Sequence, residues 1–315
     1  MWWWRWRAGC TGPFPCFSSS VRDGDGWRGA GGRCRIHRLA GHRPRPRRSW
    51  QIRSGRVEPV TTLDPAPDSG LSAAFPGVAA VIPAINEEGS IGRVVRELRE
   101  RGVGRVVVAD NGSSDGTPRV AAEAGAEIAT EPRLGYGRAC LSGIALLEAG
   151  REPPSVVVFV DGDGADALEW LPRLLEPALR DEADLVIGRR TDAGEVGNAR
   201  AHARIGSRWV LRAARILHGL QADDMGPFRA VRWETLQAMR MDDPTWGWTL
   251  QMQLRAHHLG ARTLEIEVPR RARTAGRSKV SGSLGISLRA GVRMGWTLIR
   301  ERILALRQEG PHDRE

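Results

Sequence analysis

Lysine is all but missing from this chain: Lys279 is the only one in 315 residues. A phosphate loop of the form G-x-x-x-x-G-K-[ST] is therefore absent. Cysteine is scarce as well. Cys10, Cys16 and Cys34 lie near the start without the paired spacing of a zinc site, and Cys140 stands alone afterwards. Cys140 reads as a small buried apolar residue rather than a nucleophile. A reducing, cytoplasmic setting fits that usage. No run approaches the roughly 18 apolar residues of a transmembrane helix, and none supplies the apolar core of about 7–15 residues of a signal peptide. The dinucleotide fingerprint G-x-G-x-x-G is also missing. Gly135-Tyr136-Gly137 is only a fragment of it, after a weak strand and without an acidic residue at a strand end about twenty positions on.

Acidic residues are missing where arginine is most abundant. The net charge is +10 and the pI near 10.9. Residues 1–57 hold 13 Arg against 2 Asp, whereas residues 58–315 hold 34 Arg plus Lys against 35 Asp plus Glu. The basic character belongs to the tail, so it says little about a polyanionic partner for the rest, and no specific nucleic acid is expected. Residues 1–75 are rich in Trp, Arg, Gly and Pro and show no sustained period of 2 or 3.6. They read as a disordered tail, with a linker over 63–76. Two origins stay open: a tail that touches anionic lipid or nucleic acid, or translation from a start placed too far upstream, since no local folding rule is satisfied.

From Val78 the pattern is regular. Residues 78–82 form an apolar run ending at Pro83. Asn86 to Ser90 can cap a helix with Ile91, Val94, Val95 and Leu98 on its apolar face and Gly102 closing it. Residues 103–109 give a second buried strand, followed by DNGSSDGT. A helix over 118–124 leads to a strand over 126–129, and RLGYGRAC opens a helix reaching Glu148. A strand at 156–160, a helix at 168–179 and a strand at 184–188 follow. This alternation predicts an α/β fold with a mostly parallel sheet flanked by helices.

The strand at 156–160 stops at Asp161-Gly162-Asp163. In open α/β sheets ligands bind beyond the carboxyl ends of the strands. A turn at Gly162 can bring both carboxylates to one cation, and magnesium typically takes one or two carboxylates plus substrate phosphates. An ordinary surface turn has the same composition.

Four segments, PAINEEGS (83–90), ADNGSSDGT (109–117), RLGYGRA (133–139) and VDGDGAD (160–166), together resemble the GT-A nucleotide-diphospho-sugar transferase domain of family 2 glycosyltransferases. LVIGRR (185–190), DMGPFRA (224–230), GWTLQMQ (247–253) and RTAGRSK (273–279) are similar to the branch with polyprenyl-phosphate and dolichyl-phosphate hexosyltransferases. The likeness spans about 78–294. Each motif is weak alone, and eight in the right order are specific.

The resemblance implies a GT-A domain over 76–283 that moves a hexose, with inversion, from a UDP- or GDP-sugar to a polyprenyl phosphate or another acceptor. It implies that Pro83, Ile85 and Glu87 line base and ribose and that Asp110 bonds the base. Asn111 stands where the family often has a second Asp. Arg133, Gly135 and Gly137 shape the loop near the nucleotide. Asp161 and Asp163 hold Mg2+ or Mn2+, Asp166 reaches the sugar, and Arg190, Arg273 and Lys279 meet phosphates. Charge grows on a diphosphate as the sugar bond breaks, and preorganised cations stabilise it.

A phosphate monoester is already an anion at neutral pH, so it needs positioning more than a base. Arg200, Arg204 and Arg208 share one helical face and suit an anionic acceptor, or simply solvent. A hydroxyl acceptor needs a carboxylate base, for which Asp223 and Asp224 are the candidates. Gln251 stands where relatives often carry Glu. Residues 284–315 form a basic C-terminal segment with Leu284, Leu288, Val292, Ile299 and Ile303 near helical spacing. Such a helix either lies in a bilayer interface, putting the enzyme at the inner face of the plasma membrane, or packs its stripe on the sheet. A nucleotidyltransferase lacks its phosphate loop here. A non-catalytic membrane-docking protein with a degenerate transferase domain is disfavoured by intact Asp161, Asp163, Arg273 and Lys279.

Overall fold

Runs of Val, Ile and Ala too short for helices become strands buried on both faces. A computed structural model describes residues 75–191, 198–269 and 284–308. Its strands are β1 (Phe75–Ala84), β2 (Val103–Asp110), β3 (Glu127–Thr130), β4 (Val156–Phe159), β5 (Leu185–Thr191), β6 (Arg229–Arg232) and β7 (Thr263–Pro269). The helices are α1 (Glu88–Glu100), α2 (Thr117–Glu123), α3 (Tyr136–Glu148), α4 (Leu171–Leu179), α5 (Asn198–His218), α6 (Trp233–Met239), α7 (Trp248–His258) and α8 (Leu284–Gln308).

The sheet runs β3-β2-β1-β4-β6-β5-β7. All neighbours are parallel except β6, which is antiparallel to both β4 and β5. Alternation along β1 divides the core. Val78, Ala80 and Ile82 face the layer of α1 and α4, through Ile91, Val95, Leu171 and Leu174. Ala79 and Val81 face the layer of α3 and α7, through Ile144, Leu147, Trp248 and Met252. A third cluster joins α5, α7 and α8 through Leu211, Leu250, Leu254 and Leu298.

The predicted α/β architecture with a mostly parallel sheet is present. Cys140 is buried, as expected of a small apolar residue. The helix expected over 168–179 is instead a 3-10 turn, Leu168–Trp170, followed by α4, which carries Pro172 in its first turn, where proline is tolerated. Arg189 and Arg190 lie inside β5 rather than after it. The sequence reading missed β6. The C-terminal stripe does not pack on the sheet: Val292, Ile299 and Ile303 are exposed. Arg208 is exposed too, while residues 1–74, Arg273 and Lys279, and the side chains of Arg200, Arg204, Leu284 and Leu288, lie outside the described residues. Among the described residues no helix is long and apolar enough to cross a membrane.

Candidate active site

Strands β1, β2 and β4 run parallel, so their carboxyl ends share one rim, with Ala84 beside Asp110 and Val81 beside Phe159. The β1 and β2 loops are laced together. Asn86 adopts the left-handed backbone that Asn tolerates, at φ 50°. Its Oδ1 accepts the Ser114 N–H at 2.8 Å, and its own N–H donates to Ser113 Oγ at 3.0 Å. The Glu87 N–H donates to Thr117 Oγ1 at 2.8 Å. Asp110 is buried and accepts the Ser113 N–H at 3.4 Å. Pro83, Ile85 and Glu87 are half-buried at the same rim. Ser90 ties this pair of loops to the β4 turn by donating to the Gly162 carbonyl at 2.8 Å.

The β4 turn gathers three carboxyl groups. The Asp161 N–H donates to Asp166 Oδ2 at 2.8 Å, and the Ala165 N–H to Asp163 Oδ1 at 2.9 Å. The glycine that the backbone requires is Gly164, at φ 69°, not Gly162. A Cβ on Gly162 would meet Ala84 and Ile91 only at ordinary contact, 3.4 Å. Loss of hydration, and then the charges of Asp161 and Asp163, push the Asp166 carboxyl well above the usual range. Crowded hard oxygens with surplus negative charge fit a divalent cation. Among the described residues no three His, Cys, Asp or Glu side chains are placed to hold a metal by themselves. An ion taken by this cluster would draw its remaining ligands from phosphate oxygens or water.

Arg190 projects from β5 toward this cluster. Its guanidinium grips Asp224 with two bonds, Nε to Oδ2 at 2.8 Å and Nη2 to Oδ1 at 2.7 Å. Asp224 also accepts the Arg190 and Met225 N–H groups. Burial alone would raise the Asp224 carboxyl, but these donors outweigh it and hold it below the ordinary range. A carboxylate so engaged is a poor proton acceptor. Asp223 is exposed and lies 3.4 Å from Arg189.

The loop after β3 is shaped from behind. Asn111 Nδ2 donates to the carbonyls of Glu131 (3.0 Å) and Arg133 (2.8 Å), while its Oδ1 accepts the Gly135 N–H at 2.7 Å. Asp could not make both donations, so Asn111 latches this loop. Arg133 is largely exposed and pairs with Glu131 at 3.0 Å. Gly135 and Gly137 serve close backbone approach: added Cβ atoms would meet Pro244 O at 2.3 Å and Asp243 O at 1.9 Å. Gln251 is equally occupied. Its Nε2 donates to Asp242 Oδ1 and Glu301 Oε1, both at 2.7 Å, and its Oε1 accepts the Asp243 N–H at 2.9 Å. A glutamate there would face two carboxylates. Sequence reasoning missed Arg229 entirely. It is fully buried under this region, donates to the Gly226 and Thr249 carbonyls, and burial pushes it down to about 10.

Residues 79–240 match the model of glycosyl transferase family 2. An uncharacterised glycosyltransferase of Mycobacterium tuberculosis is 37% identical over 211 residues, covering 66% of this chain and 91% of that protein. An undecaprenyl-phosphate mannosyltransferase of Micrococcus luteus is 34% identical, covering 66% and 88%. A dolichyl-phosphate hexose transferase of Haloferax volcanii is 32% identical, covering 67% and 90%. Among solved structures, glucosyl-3-phosphoglycerate synthase of Mycobacterium tuberculosis, in complex with Mn2+, UDP and glucosyl-3-phosphoglycerate, superposes with a TM-score of 0.58 at 22% identity, covering 71% of this chain and 79% of that one. That likeness carries the GT-A fold alone. With a family model over half its length and relatives matched nearly end to end, this chain belongs to glycosyl transferase family 2 and is a glycosyltransferase.

Proposed function

We propose that the enzyme moves a hexose from a UDP- or GDP-linked donor to a polyprenyl phosphate, with inversion at the anomeric carbon, at the cytoplasmic face of a membrane. The observation that carries this reading is the crowding of Asp161, Asp163 and Asp166 at a sheet rim that Arg190 also faces. The relatives that act on undecaprenyl and dolichyl phosphates support the acceptor class.

Asp110 and the Pro83–Glu87 loop hold the base and ribose. Asn111 and Gly135 fix the loop that carries Arg133 against the nucleotide. A divalent ion, Mg2+ or Mn2+, held by Asp161 and Asp163 would supply Lewis-acid stabilisation to the leaving diphosphate. Asp166 orients a sugar hydroxyl. Arg190, kept in line by Asp224, and Arg273 and Lys279 of the later segment place positive charge on phosphate oxygens. The acceptor phosphate arrives as an anion, so the step needs no base, which agrees with an Asp224 already committed to Arg190. Attack forms the bond from acceptor oxygen to anomeric carbon, and the nucleoside diphosphate leaves with the electron pair of the broken bond.

The test is transfer of radiolabelled hexose from several nucleotide donors to polyprenyl phosphate, with soluble hydroxyl acceptors alongside. Label should enter the organic phase only with polyprenyl phosphate. Asp161→Asn and Asp163→Asn should each lower turnover by about a hundredfold or more. Transfer to a soluble acceptor alone sinks the lipid reading, and unchanged turnover in both variants sinks the site.

A further inference from the structure

The buried face of helix α8 is partly polar: Thr297 and Glu301 lie on it with Ala290, Leu298 and Ala305. Thr297 Oγ1 donates to Asp243 Oδ2 at 2.7 Å, and Glu301 receives Arg255 at 2.9 Å and Gln251 at 2.7 Å. The opposite face holds Val292, Trp296, Ile299, Ile303 and Leu306, between 45% and 65% exposed. Their spacing alternates four and three residues, which lines them up in one stripe along the helix. Helix α5, packed beside α8, exposes Trp209 and Ile216 as well. Scattered single apolar residues need no explanation, but a continuous stripe beside a second exposed tryptophan does.

Charge selects the occupant. The two helices carry ten Arg and a single acidic residue, Glu301, which faces inward. Arg208, Arg212, Arg215, Arg293 and Arg307 are all exposed. A stripe at four-and-three spacing could in principle pair with a second copy of itself. Pairing would set the arginine rows of the two copies against each other, and like charges across an interface disfavour it. An anionic bilayer satisfies both features, taking the tryptophans and aliphatic side chains at the acyl boundary and the arginines at lipid phosphates.

We propose that the α5–α8 surface seats the enzyme on the interface of an anionic lipid bilayer. The assignment deepens the reading of the acceptor as polyprenyl phosphate and rests on it for its purpose, because an enzyme with a lipid acceptor must reach a bilayer.

The experiment is flotation of the full chain with phosphatidylcholine vesicles, with or without about one third phosphatidylglycerol. The protein should float with the anionic vesicles, weakly with the neutral ones, and less as salt rises. Trp296→Glu combined with Ile299→Glu should lower the bound fraction about tenfold or more. Its thermal melt and its transfer to detergent-solubilised polyprenyl phosphate should match the wild type. Trp209→Glu on α5 is the second variant and should shift binding the same way if the double variant fails to fold. The surface is refuted if the wild type ignores anionic vesicles, if the folded variants bind as the wild type does, or if sedimentation shows a dimer that the variants turn into monomer. Vesicle binding that depends on these side chains, with no transfer to any polyprenyl phosphate, upholds the surface and removes the functional reading instead.

Discussion

Arg190 and Asp224 meet through two parallel hydrogen bonds, at 2.8 and 2.7 Å, where β5 passes the segment before β6. Asp224→Asn keeps the shape and removes the charge. It should cost about 2 kcal/mol at pH 7, less than for a fully buried pair because Arg190 keeps some solvent. The Asp224 carboxyl is held below its unfolded value. Its contribution is therefore present above about pH 4 and fades as pH falls through the lower folded value. Urea melts of wild type and variant should differ at pH 7, and the difference should shrink as pH falls below about 4. Arg190→Lys should lower turnover, since ammonium cannot span both oxygens.

Two glycines make a paired test of packing. A Cβ at Gly137 would stand 1.9 Å from the Asp243 carbonyl, which is backbone and cannot swing aside. Gly137→Ala should therefore destabilise by about 3 kcal/mol, at the upper end of overpacking. Gly291 in α8 has nothing within 4 Å of its notional Cβ. Gly291→Ala should stabilise by up to about 1 kcal/mol. Chemical denaturation of both variants checks the opposite signs.

Glu265 is buried, accepts the Asp223 N–H at 3.0 Å, and is raised to about 7, first by burial and then by the charges of Asp223 and Asp224. A carboxyl raised in the fold favours its neutral form. Its own contribution to stability is full below the unfolded value of about 4.3 and is lost as pH rises from there to about 7. Glu265→Gln removes that loss. The variant should gain, relative to wild type, on the order of 2–3 kcal/mol between about pH 4 and pH 8. Thermal melts across that range would show no divergence if the carboxyl were ionised throughout.

Asn111→Asp replaces a donor of two hydrogen bonds with an acceptor facing the carbonyls of Glu131 and Arg133. The expected cost is about 2 kcal/mol. The Gly135 amide should lose hydrogen-exchange protection, while amides in β7 keep theirs. Nucleotide affinity should fall about tenfold if this loop contacts the donor.

The buried strands were legible because runs such as residues 156–160 carry their signal locally, bounded by Ser155 and Asp161. The acidic rim was legible because Asp110 and Asp161 end such runs. The β6 strand was not. Arg229 sits on it fully buried, and its partners are backbone carbonyls that no side-chain pattern displays. Asn111 and Gln251 read as departures because the groups they satisfy lie 20 and 50 positions away, at Glu131 and Glu301. The period of α8 was visible, but not its direction. Which face turns inward is decided by Asp243, Gln251 and Arg255, and their placement is a tertiary fact.

The reversed strand has a bearing on how the chain comes together. Strands β3, β2, β1 and β4 are neighbours in space and all fall within residues 75–159, so they can assemble while the remainder is still being synthesised. Until residues 229–232 arrive, the outer edge of β4 presents unpaired backbone groups from Val156 to Phe159. That interval, some seventy residues of translation, is when a nascent molecule is most open to joining another through this edge. Closing the edge from the far side also makes β6 the clasp between an early half and a late one.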